Sequence, residues 1–140
     1  KLNGHVIPAM ISKFISAKKR KSKFIKLLGT GRPIREFIYS DDLAEAIIKC
    51  LSVPNNKLRR KFKLKLPMLN VGTGETISIL NLSKLIAKFS NFKGKIIFDK
   101  NFPDGTYKKN LNSKNIYSLG WRPKIKLQEG LKKVIKNKFN

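Results

Sequence analysis

The chain has 140 residues, a mass of 16.0 kDa and a formal net charge of +24. This length suffices for one compact domain with a hydrophobic core. The hydrophobic share of 41% is on the low side for a globular protein, but the abundance of Ile, Leu, Val and Phe argues against a disordered chain. The charge is typical of proteins that bind polyanions, but 26 of the 32 basic residues are lysine, spread along the whole sequence. A nucleic-acid-binding module is therefore kept only as an alternative.

Cysteine and histidine are scarce, which limits the covalent and metal chemistry open to the chain. The single cysteine, Cys50, excludes an internal disulfide and favours a reducing compartment, and one histidine adds too little for a zinc site. The apolar runs are shorter than the roughly 20 residues that a membrane-spanning helix needs. These features predict a soluble, cytoplasmic protein with no metal centre and no membrane partner.

The first part of the chain predicts two helices around two short strands. Apolar residues at helical spacing mark a helix over residues 6–18. The run FIKLL, residues 24–28, predicts a strand that leads into the turn Gly29-Thr30-Gly31, and residues 36–39 predict a second strand. A helix is expected over residues 40–51, opened by a serine and two aspartates.

The second part begins with the polar stretch NNKLRRKFKLK, residues 55–65, which we expect to form a basic surface loop. The elements predicted after it are, in chain order, strand 68–71, helix 79–89, strand 95–99, helix 113–119 and helix 127–135. The alternation of short strands and helices indicates an α/β fold, with residues 1–140 forming a single region.

Four of the eight carboxylates lie within ten residues, at Glu36, Asp41, Asp42 and Glu45. The last three fall at the start of the helix over residues 40–51, where the helix dipole and free amide groups favour anions. We expect Asp41 and Asp42 to cap this helix. A pair of catalytic carboxylates is the alternative.

Two Gly-x-Gly turns, at residues 29–31 and 72–74, invite a nucleotide-binding interpretation. The dinucleotide fingerprint needs a third glycine for close packing of the following helix, and Ile34 and Ile77 occupy that spacing. A Tyr-x3-Lys pair, which would supply a phenolic acid beside a lysine, is also absent from the sequence. Both turns are therefore interpreted as tight turns.

Five ordered blocks cover nearly the whole chain, apart from residues 55–65, and together are more specific than any single motif. They are HVIPAMISKF, GTGRPIREFIYSDDLAEA, LNVGTGE, KIIFDKNFPDGTYKK and LGWRPKIKLQEGL. In order and spacing they resemble the C-terminal part of the GDP-L-fucose synthases, which are extended short-chain dehydrogenases/reductases. The resemblance implies the substrate-binding part of such an enzyme, without most of the N-terminal Rossmann domain.

For the complete enzyme, the resemblance implies a homodimer that uses NADP(H) and a GDP-sugar. The implied reaction is 3,5-epimerisation and 4-reduction of GDP-4-keto-6-deoxy-D-mannose to GDP-L-fucose. The family's glycine-rich cofactor turn and its Ser, Tyr and Lys lie in the N-terminal domain, so this chain is expected to be a fragment that is inactive alone.

Histidine is the side chain whose ordinary pKa lies closest to neutrality, and His5 precedes the first predicted helix. By the resemblance, His5 matches the active-site histidine, which lies by the nicotinamide of the cofactor and is proposed as a proton donor in the epimerisation. The positions that match substrate-contacting or nearby basic residues are Lys13, Leu28, Arg35, Asp104 and Lys109. Arg35 offers a guanidinium fork that suits a diphosphate, and Asp104 could accept hydrogen bonds from ribose or guanine.

Some positions depart from the family pattern. Leu28 stands where the family often has Trp, which removes a flat surface for packing the nucleotide or the sugar. Lys108 and Asn112 replace a common Arg and Asp. These departures leave open a related nucleotide-sugar epimerase or reductase that acts on another sugar.

Overall fold

The structure is a computed structural model that describes residues 5–63, 65 and 68–139. Six helices occur in this part of the chain: α1 (Val6–Lys19), α2 (Ser40–Leu51), α3 (Asn55–Phe62), α4 (Ile79–Ser90), α5 (Lys114–Tyr117) and α6 (Leu127–Phe139). The strands there are β1 (Phe24–Leu28), β2 (Ile34–Glu36), β3 (Thr76–Ser78), β4 (Lys95–Asp99) and β5 (Lys108–Lys109). The α/β fold class is confirmed. None of the described helices is long and apolar enough to cross a membrane.

The described residues divide into two compact units. The first comprises residues 5–35, 77–108 and 128–139, and the second comprises the described residues of 36–76 and 109–127. That residues 1–140 form a single substrate-binding region stays a prediction.

In the first unit, β1 and β4 form a parallel pair, with Phe24 opposite Lys95 and Leu28 opposite Asp99. Helix α1 packs against β1 and α4. Both helices contribute side chains that are almost fully buried, among them Phe14 and Ile11 of α1 and Leu82 and Ile86 of α4. The Phe14 ring meets Phe92 edge to face, with centroids 5.5 Å apart. This core fixes the carboxyl ends of β1 and β4.

The second unit has a small core of Ala46, Ile116 and Trp121. Tyr117 stacks on Trp121 at 6.1 Å between ring centroids, and the Arg122 guanidinium lies 4.3 Å from the centroid of the Tyr117 ring. This stack closes the core on the side of the segment that follows α5.

Asp42, in α2, connects that helix to the segment before α6. It is 2% exposed and accepts hydrogen bonds from the backbone N–H groups of Lys124 (3.1 Å) and Ile125 (2.9 Å). Both oxygens of the carboxylate are used, one for each donor.

The predicted capping of α2 by Asp41 and Asp42 is therefore wrong in its mechanism. Both aspartates lie in the first turn, as expected, but the N-cap residue is Tyr39 and no side chain caps the helix. Asp42 instead binds backbone groups more than 80 residues away in sequence. A buried carboxylate that accepts from two backbone N–H groups organises tertiary structure, so Asp42 has a structural role.

Three further predictions differ from the structure. The strand predicted at residues 36–39 lies at Ile34–Glu36 instead. Residues 68–73 form no regular secondary structure, and the strand of this region lies at Thr76–Ser78 instead. Residues 55–62 of the predicted basic loop form α3, which ends at Lys63 in a left-handed conformation, while residue 64 lies outside the described residues. Leu58, only 3% exposed, supplies the buried contact that makes this polar stretch helical.

Candidate functional site

A cavity of about 250 Å³ opens in the first unit, between α1, the end of β1, β2, the start of α4 and the loop after β4. Most of its wall is apolar, formed by Val6, Ala9, Met10, Leu27, Pro33, Ile79 and Pro103. Polar groups enter the wall at Lys13, Arg35 and Asp104. Ligand-binding cavities commonly combine an apolar wall with a few polar groups of this kind.

Four of the five predicted substrate residues line this one cavity, namely Lys13, Leu28, Arg35 and Asp104. They come from four separate places in the sequence, and α1, β1, β2 and the loop after β4 each supply one. Lys109 belongs to the second unit, is exposed in β5 and is absent from the cavity lining. The roles of all five residues stay predictions.

His5 immediately precedes α1 and is exposed. Its carbonyl accepts the first helical hydrogen bond from the N–H of Ala9 (3.1 Å), while its imidazole has no hydrogen bond to any described residue. Val6 and Ala9, in the first turn of α1, line the cavity, although His5 itself does not. The backbone thus fixes where His5 lies and leaves its side chain available.

Arg35 is held by the backbone at one of its three guanidinium nitrogens. Nη1 donates to the carbonyl of Ile34 at 2.7 Å and to that of Tyr107 at 3.4 Å. Within the described chain no carboxylate forms an ion pair with Arg35. An oriented guanidinium without a chain carboxylate is suited to an anionic ligand.

The turn Gly29-Thr30-Gly31 binds a carboxylate of the chain itself. Thr30 donates to Asp104 from its backbone N–H (2.6 Å to Oδ1) and from its hydroxyl (2.5 Å to Oδ2). These bonds, followed by the charges of Arg32 and Arg35, lower the pKa of Asp104 below its ordinary value. Both glycines have positive φ, and a Cβ on Gly29 would collide with Asp104 Oδ1. The backbone bends at both glycines, in agreement with the predicted turn.

The second turn, Gly72-Thr73-Gly74, also receives a carboxylate. Glu36 accepts hydrogen bonds from the N–H groups of Gly74 and Leu111, both at 2.7 Å. A Cβ on Gly72 would collide with the Glu36 carboxylate. No sequence pattern predicted this role of Glu36. Its position before the helix, apart from the other three acids of the cluster, was the one feature of the sequence that indicated a different role.

Glu36→Gln is expected to lower the free energy of unfolding by about 1–3 kcal/mol, because an amide cannot accept from both N–H groups in the same geometry. Urea unfolding followed by circular dichroism measures the change. Glu75→Gln, at an exposed neighbour whose carboxylate has no partner among the described residues, is the control and should stay within about 0.5 kcal/mol. Equal losses in both variants would contradict the role of Glu36.

Tyr117 lies beside the same turn and donates its hydroxyl proton to the carbonyl of Gly72 at 2.9 Å. Burial raises the pKa of Tyr117, and the charge of Glu36 raises it further. The phenol is therefore held as a neutral hydrogen-bond donor, which is a structural role within the second unit.

Several curated proteins are similar to this chain. The probable GDP-L-fucose synthase 1 of Oryza sativa subsp. japonica is 37% identical over 134 residues, which are 96% of this chain and 38% of that protein. The GDP-L-fucose synthase of Escherichia coli K12 is 36% identical over 129 residues, and the GDP-L-colitose synthase of Yersinia pseudotuberculosis is 33% identical over 133. These cover 92% and 94% of this chain, which spans about two fifths of each relative's length.

Among solved structures, MlghC, a GDP-mannoheptose C4 reductase from Campylobacter jejuni with NADP bound, aligns with a TM-score of 0.81. It is 30% identical, and the alignment covers 95% of this chain and 44% of MlghC. The family model described as the NAD dependent epimerase/dehydratase family matches residues 1–72, which is more than half of the chain. This chain therefore belongs to the NAD dependent epimerase/dehydratase family.

Proposed function

We propose that this chain is the GDP-sugar-binding part of an enzyme that converts GDP-4-keto-6-deoxy-D-mannose to GDP-L-fucose by 3,5-epimerisation and 4-reduction. The observation that carries the proposal is the convergence of Lys13, Leu28, Arg35 and Asp104 on one cavity. The names of the relatives, mostly GDP-L-fucose synthases, support this choice of substrate. A homodimeric complete enzyme stays a prediction.

The cavity wall is chemically suited to a nucleoside diphosphate sugar. Arg35 and Lys13 offer cations to the two phosphates, and Arg35 is already oriented by its bonds to backbone carbonyls. The apolar wall can pack against the flat base or the sugar ring, and the ionised Asp104 can accept hydrogen bonds from N–H or O–H groups. At about 250 Å³, the cavity is smaller than typical sites for whole ligands, so it would hold part of the molecule.

The proposed cofactor is NADP(H), as in MlghC, but neither Gly-x-Gly turn of this chain fits its diphosphate. Asp104 occupies the N–H of Thr30, and Glu36 occupies the N–H of Gly74, so a carboxylate stands where a phosphate would need donors. The diphosphate of the cofactor would therefore be bound by other residues. A contact with the nicotinamide is proposed only for His5.

A second candidate is a related enzyme that acts on another GDP-sugar. Leu28, in place of the family's frequent Trp, is 44% exposed and lies in the cavity wall, where it would change the packing of the ligand. The relatives named for GDP-colitose and GDP-mannoheptose show that this family includes such enzymes. Incubating the full-length protein with each 4-keto GDP-sugar and identifying the products would separate the two candidates.

Arg35→Ala is expected to weaken binding of GDP by about 10- to 150-fold, because it removes a charge-assisted hydrogen bond to phosphate. Isothermal titration of the full-length protein measures the affinity. Arg60→Ala is the control, because Arg60 is exposed, belongs to the second unit and is absent from the cavity lining.

Equal losses in the two variants would contradict the proposal. The nucleic-acid-binding alternative would be favoured by a different result. The protein would then bind random RNA with an affinity that falls steeply as the salt concentration rises, and GDP would compete poorly with the RNA.

A further inference from the structure

We propose that Thr30 is a positioning residue for ligand recognition, which holds the Asp104 carboxylate in the cavity wall and apart from Arg35. The inference rests on the proposed function, because the ligand it concerns is the GDP-sugar. It adds a role for a residue that lies beside the cavity lining and not in it.

The contact between Thr30 and Asp104 fixes the whole carboxylate group and not a single oxygen. The backbone N–H of Thr30 reaches Oδ1 and its hydroxyl reaches Oδ2, so two parallel bonds set both the position and the plane of the group. The hydroxyl oxygen also accepts a hydrogen bond from the N–H of Arg32 at 3.2 Å. That bond leaves the hydroxyl proton directed to Asp104.

The turn around Thr30 is shaped for this contact. A Cβ at Gly29 would collide with Asp104 Oδ1, and a Cβ at Gly31 would lie 2.7 Å from the Phe98 ring. Both glycines also have positive φ, at 82° and 76°. Only the residue between them can carry a side chain, and there the chain has a threonine with one hydroxyl donor.

Asp104 keeps acceptor capacity while it is held. An ionised carboxylate has about four lone-pair sites, and Thr30 uses one on each oxygen. The lowered pKa keeps the group ionised at neutral pH, so it can accept but not donate. The held carboxylate therefore presents a fixed acceptor to N–H or O–H groups of a ligand in the cavity.

Thr30 also separates opposite charges within the cavity wall. Arg35 and Asp104 line the same cavity, yet no ion pair joins them in the described chain. If Asp104 paired with Arg35, the guanidinium would be less available to a diphosphate. Because Thr30 holds Asp104, the Asp104 carboxylate can accept hydrogen bonds from one part of a ligand while the Arg35 guanidinium binds another part.

The test is a double-mutant cycle in the full-length protein, with GDP affinity measured by isothermal titration. Thr30→Val removes the hydroxyl but keeps the shape, and we expect it to weaken binding about 10-fold, whereas Thr30→Ser should stay within about 2-fold of wild type. Asp104→Asn should also weaken binding, and Thr30→Val should weaken it little further in the Asp104→Asn background. Thr106→Val, at an exposed threonine outside the cavity lining, is the matched control.

A second readout distinguishes positioning from loss of structure. Carbon-13 NMR of the Asp104 carboxyl should show a pKa raised towards its ordinary value in Thr30→Val and unchanged in Thr30→Ser. Because the folded-state pKa of Asp104 is lowered in wild type, binding should persist to lower pH there, and in Thr30→Val it should be lost at a higher pH.

The possible failures can be told apart. If wild type binds GDP and Thr30→Val binds equally well, the inference about Thr30 is wrong and the proposed function stands. Additive losses in the double mutant, or weaker binding with an unchanged Asp104 pKa, would also overturn it, because Thr30 would then act independently of Asp104. If wild type does not bind GDP, the proposed function fails and the inference fails with it.

Discussion

Asp42→Ala is expected to lower the free energy of unfolding by about 2–5 kcal/mol, a larger loss than that expected for Glu36→Gln. The variant leaves the N–H groups of Lys124 and Ile125 without an acceptor at a site where Asp42 is 2% exposed. A buried donor left unsatisfied costs about 1–3 kcal/mol, and both of these hydrogen bonds are partly buried. Urea unfolding followed by circular dichroism, or by fluorescence of Trp121 in the same unit, measures the loss.

The neighbouring acid provides a matched control. Asp41 is exposed in the same helical turn, and its carboxylate accepts a hydrogen bond only from Ser40 among the described residues. Asp41→Ala should therefore cost no more than about 1 kcal/mol, the usual size of a helix-dipole interaction. If both variants lost similar stability, the local interpretation of the acidic cluster would be right after all.

The acidic cluster shows what local sequence rules can and cannot establish. They placed Asp41 and Asp42 correctly in the first turn of α2, because helix starts have a strong local signature. They could not show that Asp42 binds backbone groups 82 and 83 residues away, or that Glu36 binds Gly74 and Leu111. Such bonds depend on the tertiary fold, which brings distant backbone donors to the carboxylate.

The contrast between local patterns and tertiary contacts also explains which helices and strands were predicted well. Periodicity of the apolar residues predicted helices α1 and α4 and strands β1 and β4. Each of these elements has apolar side chains at regular spacing, which face the interior of the protein. The polar segment of α3 has one buried residue, Leu58, and gave no such pattern. The strand predicted at residues 68–71 was wrong because an apolar run can pack as irregular chain, as Val71 does against the core of Ala46, Ile116 and Trp121.

For the cavity, the family resemblance supplied the residues and the fold explains their convergence. Lys13 lies in α1, Leu28 ends β1, Arg35 lies in β2 and Asp104 follows β4. The parallel pairing of β1 with β4 brings Leu28 close to the loop that carries Asp104. No spacing rule connects Thr30 with Asp104, which are 74 residues apart. Their contact required the register of the two strands.

His5→Ala in the full-length protein is expected to slow the proposed epimerisation by about 10²- to 10⁴-fold, because a positioned general acid contributes that much. Affinity for GDP should change less than about 2-fold, since His5 is outside the cavity lining. The helix should be preserved, because the first α1 bond uses the His5 carbonyl and not its side chain. Formation of the epimerised product in D₂O, with deuterium at the two inverted carbons, measures the delivery of the proton.

His5→Gln is the second variant, because glutamine keeps a polar side chain that can donate a hydrogen bond but cannot transfer a proton near neutral pH. If His5 is the proton donor, both variants should lose deuterium uptake equally while GDP affinity and the circular dichroism spectrum stay those of wild type. Activity retained in His5→Gln alone would mean that the imidazole only orients the sugar by hydrogen bonding. Epimerised product formed at the normal rate by both variants would remove His5 from the reaction, and another residue of the full-length protein would then have to donate the proton.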